Sequence, residues 1–304
     1  MDKPEYTIHE NVPHRRGIAL LITLSVLAVI ISLTSVLISY FDIVRKDATA
    51  TKALIQADLY YEDIRKIFKK FKKKKTLYTT LYQMPIPLSS PDGRFSVLLA
   101  CHPLANGVNI NWLGLGNTSA TVEQYNAAQK VFDTVVQVYG LEDAGRLYDM
   151  LLEEIGGKKR YVQKEQSRLS QKKGIISYRQ FEEILSRYQF ETDDQKVGRV
   201  PWEKLFSFTP TAKVIDGDYI SAELLAILFN IDLDAVKEEW VAGKLKLKSF
   251  VEERGEVYPA KLFAQDFLEE SGCEVQYEHA GERFRFAFAD IEGEVKNFEF
   301  YGKQ

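Results

Sequence analysis

One segment near the N-terminus constrains the fold more than any other part of the sequence, because residues 17–41 include no charged side chain. As an α-helix, these residues would span roughly 37 Å, and the hydrocarbon core of a bilayer is about 30 Å thick. A long buried helix is the alternative, but such a helix is normally apolar on one stripe, whereas this segment is apolar on all sides. We therefore expect a membrane-spanning helix.

Two general kinds of targeting are compatible with this segment. The first is an uncleaved anchor. The second is a secretory signal peptide cleaved after Ala48-Thr49-Ala50. The usual apolar region of a signal peptide is about 7 to 15 residues, much shorter than this one, and charged residues separate it from the small-residue triplet. The signal peptide is therefore the weaker of the two.

A third interpretation depends on the junction between a polar leader, residues 1–16, and the apolar run, which reads Gly17-Ile18-Ala19-Leu20-Leu21. This junction resembles the prepilin processing site of type IV pilins and type II secretion pseudopilins. In that family a peptidase cuts after the Gly and methylates the new N-terminus, which implies a cut after Gly17 and a mature chain starting at Ile18. Most members have Glu at the fifth mature position, here Ile22. The K-type minor pseudopilin at the pseudopilus tip characteristically lacks that Glu.

The region after the membrane segment predicts a long stalk. No Gly or Pro, the strongest helix breakers, occurs between Ile18 and Met84. We predict one continuous helix from about Ile18 to Lys75, half in the membrane and half packed on a sheet. An anchor followed by a separate helix is the alternative. Apolar or small residues recur at helical spacing and form an amphipathic stripe: Val44, Ala48, Thr51, Ile55 and Leu59.

The end of this stalk is strongly basic. Eight cationic side chains lie within residues 65–75: Arg65, Lys66, Lys69, Lys70 and Lys72 to Lys75. They indicate either a patch for an acidic partner, lipid head group or nucleic acid, or a solvated helix end where cations meet the negative end of the helix dipole.

The rest of the chain predicts strands on both sides of a helical block. Residues 94–101 and 108–112 predict a β-hairpin, residues 121–243 are mostly helical, and residues 274–300 alternate as three strands. We expect an α+β fold with a long N-terminal helix, membrane plus stalk, packed on a small antiparallel sheet, and a large all-α insert between strands. The expected divisions are a leader at 1–17, a transmembrane part at 18–41, a first pilin part at 42–116, a helical insert at 117–248 and C-terminal strands at 249–304.

Two further stretches resemble the K-type family. Gly93-Arg94-Phe95 with Asn109-Ile110-Asn111-Trp112-Leu113 is similar to the stretch after its long helix, and residues 214–225 are similar to part of its helical insert. The resemblance implies a single-pass inner-membrane protein with its bulk in the periplasm. It implies four partners: other minor pseudopilins, prepilin peptidase, the inner-membrane assembly platform and the lipid bilayer. We expect no nucleic-acid partner, because the helical pairs have no Gly-containing hairpin with the basic flanks that such binding needs.

The sequence offers no catalytic motif. It has no P-loop, nucleophile elbow, His-Glu-x-x-His or Cys-x-x-Cys, so we expect no enzyme. Calcium needs six to eight oxygen ligands, and the K-type family is known for calcium in its insert. Calcium is therefore the one cofactor we consider, and Asp232 could instead cap the helix that follows it. The acidic candidates are Glu191 with Asp193 and Asp194, Asp216 with Asp218, and Asp232 with Asp234.

Cys101 and Cys273 are the two cysteines, and both fall at the edges of predicted strands of the pilin part. An exported location permits a disulfide, which would close a loop of about 170 residues and stabilise the fold by several kcal/mol. Two free thiols are the alternative.

A helical block of about 120 residues would obstruct packing within a filament. The resemblance therefore predicts a minor pseudopilin at the tip of the type II secretion pseudopilus, a structural subunit for protein export. A minor pilin of a type IV pilus or uptake machine is one alternative. A single-pass membrane protein with an exported binding domain is another.

Overall fold

The structure is a computed structural model that describes residues 14–89, 96–116, 118–156, 174–209 and 212–303, with side chains from residue 20 onward. The helices, in chain order, are α1 His14–Lys70, α2 Lys74–Gln83, α3 Val122–Tyr139, α4 Ala144–Gly156, α5 Tyr178–Thr192, α6 Trp202–Leu205, α7 Ala222–Phe229, α8 Leu233–Glu239 and α9 Leu247–Glu252. The strands are β1 Ile86–Ser89, β2 Ser96–Pro103, β3 Val108–Asn109, β4 Phe206–Ser207, β5 Glu270–His279, β6 Glu282–Ile291 and β7 Glu294–Lys303.

One antiparallel sheet organises the chain, with strand order β1-β2-β5-β6-β7. Its central neighbours β2 and β5 are separated in sequence by residues 104–269, which contain the helices α3 to α9. The first two helices pack on the sheet, α1 against β6 and β7 and α2 against β2. The predicted α+β fold is therefore confirmed: a long N-terminal helix, an antiparallel sheet and a helical insert between strands.

The contact between α1 and the sheet depends on small side chains. Ala53 and Ala57 are fully buried, and the Tyr277 hydroxyl on β5 donates to the Ala53 carbonyl at 2.5 Å. Ile55 and Leu59, two members of the amphipathic stripe described from sequence, are 57% and 54% exposed, so this part of the stripe does not face the sheet. Alanine lets the helix backbone approach a tyrosine hydroxyl closely, and a count of large apolar residues does not detect this.

The helix also ends earlier than predicted. The structure breaks it between Lys70 and Lys74, so the continuous helix to Lys75 is wrong. No Gly or Pro causes the break. The rings of Phe68 and Tyr78 instead meet edge to face at 5.7 Å, which folds α2 back onto β2. Tertiary packing of aromatic rings overrides local helix propensity here.

The insert has a hydrophobic core of its own, whose fully buried members run from Val108 to Phe263. This core extends on both sides of the expected insert, 117–248. The hairpin predicted for residues 94–112 is wrong, because β3 pairs in parallel with β4 whereas β2 pairs with β1 and β5. Buried Asn109 explains the position of β3, since its amide donates to the carbonyls of Thr209 at 2.7 Å and Ala212 at 3.1 Å.

The two cysteines lie directly opposite each other on β2 and β5 and are joined as a disulfide. These are the two strands from which the chain leaves the sheet and to which it returns. The bond therefore closes a loop of 172 residues that includes the whole insert. In the chain-entropy treatment, closing a loop of that length stabilises the folded state by about 5 kcal/mol.

A buried ion pair attaches α2 to the sheet. The carboxylate of Asp290 on β6 is 1% exposed, and it accepts hydrogen bonds from the Lys74 ammonium and the Tyr78 hydroxyl. Burial, and then the hydrogen bond to Asp290, raise the pKa of Tyr78 well above its usual value, so this hydroxyl stays protonated as a donor. The carboxylate thus holds the start of α2 at two points.

Replacing Asp290 with Ala should lower the free energy of unfolding by about 3 kcal/mol, because it leaves Lys74 and Tyr78 without their buried acceptor. Glu274→Ala is the matched control. It removes a surface pair with Arg285 at 3.4 Å and should cost less than about 1 kcal/mol. Denaturant unfolding followed by circular dichroism measures both variants. Equal losses in the two variants would contradict the role given to Asp290.

Candidate assembly surface

None of the residues that the structure describes packs around the N-terminal part of α1. Its large apolar side chains from Leu20 to Ile43 are all more than half exposed. The helix is long and apolar enough to cross a membrane and is a candidate single span. Three of its hydroxyls bond to the helix itself: Thr23 donates to the Leu20 carbonyl at 2.8 Å, Ser25 to the Leu21 carbonyl at 2.9 Å and Thr34 to the Ile30 carbonyl at 2.8 Å. That internal bonding is what a hydrocarbon environment requires of Ser and Thr.

Beyond this span, α1 has two different faces. Ala57 and Ile64 belong to the buried face that packs on the sheet. At about 100° of rotation per residue, Ile55 and Leu59 lie on the opposite side, where they are exposed. Val44, 46% exposed, continues this stripe towards the membrane span. The outer face of α1 is therefore an apolar stripe, defined by Val44, Ile55 and Leu59, that is uncovered in the single chain.

The proposed processing site, Gly17–Ile18, lies in the backbone of α1. Its side chains are outside the described residues, as are the leader residues 1–13 and the Gly93-Arg94-Phe95 motif. The cut after Gly17 therefore stays a prediction. The motif residue Ile22 is 56% exposed within the candidate span.

The acidic group at residues 191–194 has structural partners. Glu191 pairs with Arg146 at 2.7 Å, and Asp193 ends α5 in a left-handed conformation. Asp194 is buried and accepts from the backbone amides of Glu142 and Lys196, both at 2.9 Å. Desolvation acts to raise the pKa of Asp194, but these amides outweigh it and the pKa is lowered. This carboxylate joins the start of α4 to the end of α5.

Asp216 and Asp218 line a pocket of about 220 Å³ where the insert meets α2. Asp218 accepts from the Lys246 ammonium at 2.5 Å and from the Leu247 amide at 3.1 Å. Burial, and then the neighbouring charge of Asp218, raise the pKa of Asp216 to about 7. Lys75 of α2 also lines this pocket.

The third acidic group is a helix cap. Asp232 accepts from the Ala235 amide at 3.0 Å, which confirms the alternative given to it from sequence. Within the described part of the chain, no group of three or more His, Cys, Asp or Glu side chains is placed to hold a metal ion. Calcium binding therefore stays a prediction from resemblance.

Sequence reasoning did not find the polar residues that the fold uses most. Asn109 and Asn111 were noted only as part of a family-like motif. Asn111 accepts from the Ile175 amide at 2.7 Å and donates to the Ile175 carbonyl at 2.9 Å. Nothing in the sequence indicated that Asp290 is buried, because a single Asp in an alternating strand normally faces solvent.

Replacing Asp216 with Asn should change the pH dependence of stability. A folded-state pKa of about 7 means that the stability linked to the protonated carboxyl is present at low pH and is lost as the pH rises through 7. At about 1.36 kcal/mol per pKa unit, Asp216→Asn should therefore gain about 2.5 kcal/mol of unfolding free energy relative to the wild type between pH 5 and pH 8. Denaturant unfolding of both proteins at the two pH values tests this. If the difference in unfolding free energy between the two proteins is the same at pH 5 and pH 8, the prediction is contradicted.

Comparisons with known proteins give little further information. No family model matches this chain, and neither does any curated protein. Among solved structures, the GspK–GspI–GspJ complex of the type 2 secretion system from enterotoxigenic Escherichia coli aligns over 86% of this chain and 96% of the matched chain, with 12% sequence identity and a TM-score of 0.47. A likeness of that degree carries no argument about the fold, partners or activity of this chain.

The geometry of the chain itself defines a structural class. It is an α+β protein with one candidate membrane span, and the helix that contains this span continues out of the apolar segment to become part of the folded body. One continuous helix, α1, therefore joins the candidate span to the body without an intervening loop.

Proposed function

We propose that this protein is a minor pseudopilin, a structural subunit without enzymatic activity. It would be processed after Gly17, methylated at Ile18, and held in the inner membrane by residues 18–41 with its body in the periplasm. It would assemble through α1 with other minor pseudopilins and act in type II secretion.

One observation carries this proposal, the division of α1 into a sheet-facing side and an uncovered apolar side. A membrane-anchored receptor or enzyme needs the sheet-facing side of this helix but has no need of an uncovered apolar side. Ile55 and Leu59 expose apolar surface at a cost of roughly 25 cal/mol per Å². The stripe runs on from a span that is apolar on every side, so a second long apolar helix could cover both together.

The insert supports a place at the tip. Its core is separate from that of the pilin-like body, and it connects to the sheet where β2 ends and β5 begins. Such a block adds width beside α1. In a filament of repeated copies, every neighbouring subunit would have to leave room for it. A terminal subunit has no neighbour ahead of it and avoids that conflict.

Mass spectrometry of the mature N-terminus tests the class. We expect a first peptide that begins at N-methylated Ile18 and is absent from cells lacking the prepilin peptidase. Gly17→Leu should block the cut in cells that have the peptidase. An intact Met1 in both strains would mean a plain anchor, and a start near Thr51 would mean an ordinary exported protein; either result would overturn the proposal.

Substitutions on the uncovered stripe test assembly. Ile55→Gln with Leu59→Gln should reduce co-purification with partner subunits at least tenfold, because two exposed apolar contacts are lost without disturbing the buried face. The matched control is Val138→Gln with Val257→Gln, two apolar residues of the insert that are 70% and 84% exposed. Unchanged co-purification of the stripe variant would exclude α1 as the assembly surface.

A further inference from the structure

The basic run at residues 65–75 is only partly neutralised within the folded chain. Arg65 pairs with Glu62 at 3.2 Å and Lys66 with Asp63 at 3.1 Å. Lys74 pairs with buried Asp290, and Lys75 lines the pocket of Asp216. Four exposed cations have no anionic partner among the residues that the structure describes, and we call them the lysine surface: Lys69, Lys70, Lys72 and Lys73.

Interaction with a helix dipole explains the placement of only two of these four lysines. Lys69 and Lys70 occupy the last turn of α1, where the helix dipole favours positive charge. Lys72 and Lys73 immediately precede α2, whose first turn contains no acidic side chain. Positive charge is unfavourable at a helix N-terminus. The fold therefore gains nothing locally from these two cations, and a charge-based contact with another molecule would explain their placement.

The membrane that holds the span is too far away to be that molecule. Lys69 lies 28 residues beyond Phe41, the last residue of the uncharged segment. Since α1 is continuous to Lys70, this separation is about 42 Å along the helix. Charge interactions in solution decay over about 8 to 10 Å at physiological ionic strength.

The net charge of the rest of the chain favours a short acidic segment over a long polyanion. The whole chain has 40 basic and 43 acidic residues. Removing the eight cations of residues 65–75 leaves 32 basic residues and a formal charge of -11. A nucleic acid or acidic polysaccharide longer than the lysine surface would on average be repelled by a chain that is otherwise net negative, and a short segment confined to the lysines would be repelled less.

Apolar side chains lie among the lysines. Phe71 stands between Lys70 and Lys72 and is 46% exposed, and Ile67, one turn earlier on α1, is 44% exposed. An exposed aromatic ring surrounded by charges has the composition of a protein interface, with an apolar centre and a polar rim. It would contact an apolar side chain within an acidic peptide.

We propose that the lysine surface and Phe71 form a docking site for a short acidic segment of a partner protein that contains apolar residues. The site lies at the α1–α2 break, about 40 Å from the membrane span along α1. It does not depend on the pseudopilin proposal, because any protein held by this span would present it at the same height.

The test uses the full-length chain in a non-ionic detergent and a fluorescein-labelled peptide of three Glu-Glu-Leu-Glu repeats. Fluorescence anisotropy measures the dissociation constant at 50 and 150 mM salt. We expect saturable binding that weakens with salt. Replacing all four lysines of the surface with Gln should raise the dissociation constant at least about tenfold. Phe71→Ser should raise it severalfold for this peptide but not for a peptide of Glu alone.

The matched control replaces four other exposed lysines with Gln, namely Lys46, Lys52, Lys237 and Lys244. It removes the same total charge, so its dissociation constant should change less than twofold. Thermal unfolding of each variant shows that the fold is retained. Equal weakening in the control, no binding of the peptide at 50 mM salt, or tighter binding of a 12-nucleotide thymidine strand than of the peptide would each overturn the proposal.

Discussion

The close approach of α1 to the sheet is the contact on which the rest of the structure depends. Ala53 and Ala57 bring the helix backbone within reach of the Tyr277 hydroxyl. Farther along the helix, the Tyr61 hydroxyl donates to the Val295 carbonyl at 3.1 Å. These contacts fix the later part of α1 to the sheet, so the same helix joins the candidate span to the folded body. Large side chains at the alanine positions would move the helix outward and break both connections.

The insert is attached to this body at more than one place. The disulfide between Cys101 and Cys273 closes its two ends, and the Leu104 amide donates to the Glu270 carbonyl at 3.0 Å just beyond it. On the α2 side, the rings of Tyr82 and Tyr219 meet edge to face at 5.1 Å. A block with its own core is thus positioned relative to α1 from two directions, as a subunit that presents this block to partners would need.

The apolar stripe on α1 and the lysine surface at the end of α1 differ in polarity and in extent. The stripe that contains Ile55 and Leu59 is apolar and continuous with the span, so it suits another long helix. The lysine surface is charged and confined to the break before α2, so it suits a short segment of opposite charge. Together they would let one chain make a lateral contact along α1 and a separate contact at the height of the sheet.

The sequence by itself determined the features that depend on local pattern. The uncharged run indicated the candidate span, alternation indicated β5 to β7, and helical spacing indicated the mostly helical block at residues 121–243, where α3 to α8 lie. Asp232 as a cap followed from a single local hydrogen bond.

Only the tertiary structure decided which face of α1 meets the sheet, where that helix ends, and that β3 pairs with β4 rather than β2. The buried partners of Asp290 and Asn109 were also decided there. Each of these outcomes depends on residues about 100 or more positions apart, or on rings that meet across a turn. Local pattern holds no information about such contacts, because their free energy arises only when the distant surfaces meet.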